Sequence, residues 1–64
     1  MYCIKAVSNT DIGYWNDTDN TTTPYLAMAT KYDDWRIADK RCEELNQEYS
    51  LNPCLYFHRK KVTV

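Results

Sequence analysis

Glycine is nearly absent from this chain. Gly13 stands alone among 64 residues, with only two prolines beside it. Such a composition is neither low-complexity nor collagen-like. It leaves no glycine-rich loop to cradle a phosphate and no G-x-S-x-G elbow to present a serine. Histidine is as scarce, with His58 the sole imidazole. Nucleophilic catalysis needs a nucleophile, a base and an orienting group together. A chain this short also has little room for a closed pocket. The expectation is a protein that is not an enzyme.

Long apolar runs are missing too. None approaches the roughly 20 residues that span a bilayer, and no signal segment is expected. Cysteines number three, an odd count, at Cys3, Cys42 and Cys54 with no C-x-x-C. Free thiols in a reducing cytoplasm are expected, in a complete, soluble protein without a membrane partner or cofactor. Cys54 and His58 share a face of an extended strand but sit roughly 13 Å apart there. They cannot hold one zinc ion, and no paired-ligand spacing suggests another metal site. Cys42 reads as a small core residue.

Charge of one sign is also lacking. Eight basic residues face nine acidic ones, for a net charge of -1. No strong field draws nucleic acid or anionic lipid. The last cluster, Arg59, Lys60 and Lys61, follows Tyr56, Phe57 and His58. That mixture could stack on bases and neutralise phosphates. The balanced total favours instead a solvated strand end.

What the chain does have is aromatic side chains: six Tyr, two Trp and one Phe. With 44% hydrophobic residues, residues 1 to 64 make a single small domain, which buries about 60% of its unfolded surface.

Tyr2 to Val7 alternates, with Tyr2, Ile4 and Ala6 on one face and Cys3, Lys5 and Val7 on the other, which predicts a strand. Ser8-Asn9-Thr10-Asp11 is turn chemistry. Ile12 to Asn16 reads as a second strand and Tyr25 to Tyr32 as a third. Asp34 is a good N-cap, and Asp33 favours the positive helix end. Trp35, Ala38, Cys42, Leu45 and Tyr49 then fall within a helical stripe about 80° wide. Ile37 lies outside it. The helix ends at Asn46 or Ser50, before Asn52-Pro53. Cys54 to Val64 predicts the last strand. The fold class is α+β in the order β-β-β-α-β, one amphipathic helix on a mainly antiparallel sheet.

The stretch NDTDNTTTPY, Asn16 to Tyr25, invites a calcium reading, with Asp17 and Asp19 at the first and third loop positions. The pattern also needs glycine at the sixth and glutamate at the twelfth, where Thr22 and Met28 stand. Asn16-Asp17-Thr18 and Asn20-Thr21-Thr22 fit N-x-[ST], which carries meaning only in a secreted chain. A polar connection with local side-chain to backbone bonds is the simpler reading.

A strand, a GYW turn region, and then AMATKYDDWRIADKRCEELN resemble small proteins encoded by bacteriophages. There an A-x-x-[FY] strand end precedes a capped helix, matched here by Ala29, Tyr32, Asp34, Ala38, Leu45 and Asn46. The resemblance spans roughly residues 25 to 60. It implies an inhibitor of host machinery or of antiviral defence that acts by binding a bacterial protein in the host cytoplasm.

Tyr and Trp are enriched in interface hot spots. Tyr14 and Trp15 are adjacent and must point to opposite sheet faces. The expected partner surface is Tyr14, Trp15, Asp17, Asp19 and Tyr25, with Ile37, Lys40 and Arg41 as an alternative on the helix. Nucleic-acid or nucleotide binding through Arg59, Lys60 and Lys61 is a second reading. A self-assembling subunit using an exposed strand edge is a third. Monomer and homo-oligomer both remain open.

Overall fold

The alternating segments become strands as their patterns require. The computed structural model describes residues 1–9, 12–52 and 54–63. β1 (Tyr2–Val7) is central and pairs antiparallel with both β2 (Ile12–Asn16) and β4 (Tyr56–Lys61). β3 (Thr21–Thr23) pairs antiparallel with β2, so the sheet runs β3-β2-β1-β4. Helix α1 (Trp35–Glu48) packs chiefly on β4 and β1. Thr10, Asp11, Pro53 and Val64, placed by sequence in a turn, after the helix and at the chain end, lie outside the described residues.

Period two decides the core. Ile4 and Ala6 from β1, Trp15 from β2 and Phe57 from β4 face Cys42 and Leu45 of α1, all buried. Tyr49 completes an aromatic group, 5.6 Å from Phe57 and 6.4 Å from Trp15 between ring centroids. Trp15 meets Phe57 edge-on at 5.8 Å, a favoured geometry for aromatic pairs.

The helix starts as its cap dictates. The Asp34 carboxylate accepts the Arg36 N–H at 2.9 Å, satisfying one of the free donors at the helix start. Ala38, Cys42 and Leu45 form the buried stripe. Trp35, its expected first member, is instead 49% exposed. It sits at the first helical turn, where its ring takes the Arg59 guanidinium at 5.1 Å.

The third strand differs from expectation. The alternation in Tyr25 to Tyr32 does not form one. Leu26–Met28 is a 3-10 turn, and only Tyr32 joins a strand, through a bridge to Tyr2. The strand lies earlier, in the Thr run, because the Asp17–Asn20 turn folds that run back onto β2. Asn20 takes φ 54°, a conformation asparagine tolerates better than most residues. The Asn16 side chain accepts the Asp19 N–H at 3.0 Å, the local bonding expected of a polar connection.

Gly13 has a packing reason. A Cβ there would lie 3.2 Å from the Thr23 carbonyl oxygen, so its bareness lets β3 approach β2.

The outer edge of β4 is covered near its start, at Phe57, by one side chain. Asn46 donates its amide to the Phe57 carbonyl at 2.9 Å and accepts the Phe57 N–H at 2.9 Å. A side-chain amide thus stands where another strand would pair, which blunts the edge used by the self-assembly reading.

Candidate functional site

Each expected contact residue has a definite place. Tyr14 and Trp15 do split between faces. Trp15 turns inward and is 2% exposed, so it leaves the expected contact surface: its ring is needed in the core. Tyr14 is half-buried on the opposite face.

Asp17 is occupied within the chain. Its carboxylate accepts Trp15 Nε1–H at 2.7 Å, Arg41 Nε–H at 3.0 Å and the Tyr32 hydroxyl at 3.0 Å. Its backbone N–H donates to Thr30 Oγ1 at 2.7 Å. Partial burial raises the Asp17 carboxyl pKa, but the three donated hydrogen bonds outweigh it and hold the group below the ordinary carboxylate value. Burial and this anion push the Tyr32 hydroxyl far upward. Asp17 therefore ties β2, the 30–32 segment and α1 together rather than waiting for a ligand.

The alternative helix patch divides similarly. Ile37 and Lys40 are exposed. Arg41 is committed to Asp17, to Glu44 at 3.6 Å and to the face of Trp15 at 5.7 Å. The basic cluster also divides, because alternation separates Arg59 and Lys61 from Lys60. Arg59 pairs with Asp39 at 3.0 Å and lies over the rings of Tyr2 and Trp35. Asp19 is exposed, and Tyr25 is 65% exposed.

Tyr25 leads to a surface that sequence reasoning did not assemble. Pro24, Tyr25, Leu26, Ala27 and Met28 are consecutive, apolar and all exposed. Their backbone is held firmly. Met28 N–H donates to the Tyr25 carbonyl at 3.0 Å, and Ala29 N–H donates to Leu26 at 3.1 Å. Lys31 Nζ reaches back to the carbonyls of Leu26 at 2.6 Å and Ala29 at 2.8 Å. Asn16 donates its amide to the Met28 carbonyl at 2.8 Å. Thr30 N–H bonds the Trp15 carbonyl at 3.1 Å. A signal was available: Leu26 and Met28 share the apolar segment with Tyr25, but a strand assignment hides half of such residues.

Pro24 also stands at the rim of an open cleft of about 720 Å³ on the helix side of the sheet. Its floor holds Trp15, Tyr49 and Phe57, and its rim includes Thr22, Asn52 and Cys54. Cys54 is exposed and its sulfur accepts a hydrogen bond from Asn9 at 3.0 Å. Among the described residues no helix is long and apolar enough to cross a membrane. Comparison of the chain with protein-family models, curated proteins and solved structures finds no match, so the chemistry of these surfaces is read from the residues themselves.

Proposed function

We propose that this chain is a non-catalytic binding protein that docks on another protein through the Tyr25–Met28 turn. The observation that carries the reading is the combination of exposure and anchorage there. Five consecutive apolar residues face solvent on a backbone held by side chains from two other positions, Asn16 and Lys31. Isolated exposed apolar residues are ordinary, but a contiguous apolar patch marks an interaction surface. A turn already held in shape loses little conformational freedom on binding. The neighbouring aromatic-floored cleft adds a recess beside this protrusion. The fitting partner is a protein that offers an apolar pocket to Tyr25 and Met28 and an apolar side chain to the cleft.

The wider reading, an inhibitor acting on a bacterial host or defence protein, draws on the likeness to phage-encoded proteins. The test compares capture from bacterial lysate by the parent chain and by Tyr25→Asp and Met28→Asp variants of equal thermal stability. The reading expects one stoichiometric protein that survives nuclease and high salt and is lost with both variants. Capture that is indifferent to both substitutions contradicts it.

A further inference from the structure

The net charge of -1 conceals a segregation. None of the four strands contains Asp or Glu, whereas they contain Lys5, Arg59, Lys60 and Lys61. The described acids lie on the turns, on α1 and on the segment before it. Alternation divides the strand cations between faces. Arg59 is neutralised by Asp39 on the helix side. Lys5 and Lys60 project from the opposite face, and among the described residues no carboxylate pairs with either.

That helix-free face is also aromatic. Registry places Tyr14, Lys5 and His58 side by side across β2, β1 and β4. Lys60 Nζ lies 5.7 Å from the centre of the Tyr14 ring. Tyr56 and His58 stack with centroids 6.1 Å apart and planes at 25°. Tyr56 is 59% exposed. From strand spacing, Tyr14 and Tyr56 stand roughly 12 Å apart, with Lys5 on the strand between them. The face thus presents two ring surfaces separated by cations.

We propose that this face is a binding site for single-stranded nucleic acid. One base would stack on Tyr14 and another on the Tyr56–His58 pair, with the intervening phosphates at Lys5 and Lys60. Stacking is open to unpaired bases and closed to those of a duplex, whose ring faces are covered. Charge complementarity selects this occupant, because Lys5 and Lys60 stand on this face and, among the described residues, neither is paired with a carboxylate. The site does not rest on the docking turn, and it differs from the consecutive trio Arg59, Lys60 and Lys61, whose members point both ways.

The test is fluorescence anisotropy with labelled oligothymidylate, oligouridylate and a duplex of the same length. Single strands are expected to bind and the duplex to bind about tenfold or more weakly, having no free base to stack. Two phosphate contacts predict about a sevenfold loss between about 50 mM and 200 mM salt, and Lys60→Gln should roughly halve that slope. Tyr14→Ala and Tyr56→Ala should each weaken binding by about tenfold. Arg36→Gln, on the helix at an exposed position, should change nothing. Tyr56 is so exposed that its variant keeps the fold even where Tyr14→Ala does not. Preference for either oligomer supports the site, since stacking and phosphate contacts are common to RNA and DNA. Binding undetectable at about 100 µM protein and low salt, weaker than ordinary non-specific affinity, overturns the proposal. So does equal affinity for the duplex, or indifference to both the Tyr56 and Lys60 substitutions.

Discussion

Asn46 holds both backbone groups of Phe57, at 2.9 Å each. A residue on the helix thereby completes the outer edge of β4 while the Phe57 ring fills the core beneath. The pair joins packing to edge protection. Asn46→Ala frees an N–H and a carbonyl at a half-buried edge. The expected cost is about 1–3 kcal/mol, with new concentration-dependent association through the uncovered strand. Chemical denaturation and sedimentation velocity check the two parts. A variant as stable and as monodisperse as the parent removes this role.

Asp17 gives the protein an acid-sensitive joint. Its folded pKa lies below the unfolded value because three donors favour the anion. Its stabilisation is therefore fully present above the unfolded pKa, near about 4. It is lost as pH falls through the folded pKa, since the unfolded chain binds the proton more readily. Thermal unfolding should weaken more steeply with acid in the parent than in Asp17→Asn. At neutral pH Asp17→Ala, which strands the Trp15 N–H, should cost about 1–3 kcal/mol. Parallel pH profiles for parent and Asp17→Asn contradict this account.

The thiols should separate by burial. Cys3 and Cys42 are buried and Cys54 is exposed. Burial raises the Cys3 thiol pKa and pushes that of Cys42 up to about 11. The thiolate is the reactive form. A thiol reagent at neutral pH should modify Cys54 at once and the other two only as the chain unfolds. Prompt reaction of Cys42 in the folded protein refutes the packing described for α1.

The core has little to spare in a domain of this size. Leu45 is fully buried, and Leu45→Ala removes side-chain atoms that the sheet cannot collapse to replace. A cost of about 2–5 kcal/mol follows, a large share of the stability of any small domain. Calorimetry should find the transition strongly lowered or absent. A shift of only a degree or two speaks against a tight core at this position.

Much of this architecture is legible in the residues. The alternation of Tyr2 to Val7 marks β1 and assigns both its faces correctly, and Asp34 marks the helix start. Tyr14 and Trp15 illustrate the limit. Alternation states that they oppose each other, but only the position of α1 decides that Trp15 is the buried one. Three consecutive threonines carry no periodic signal, so β3 depends on the turn that brings it to β2. The Tyr25 to Tyr32 segment fails in the opposite sense. Its alternation is real in sequence, but bonds from Asn16 and Lys31 hold Leu26–Met28 in a 3-10 turn. Asn46 looks like a helix terminator from its side-chain chemistry, whereas its partner is a strand eleven residues away.

The central claim is that the Tyr25–Met28 turn is a preformed docking surface. Hydrogen exchange of the Met28, Ala29 and Thr30 amides, in the free protein and with the captured partner, tests it most directly. The account predicts slow exchange before binding, because all three amides are hydrogen-bonded, and slower exchange in the complex. Exchange at unfolded-chain rates in the free protein, or protection on binding confined to the helix or the sheet, contradicts it.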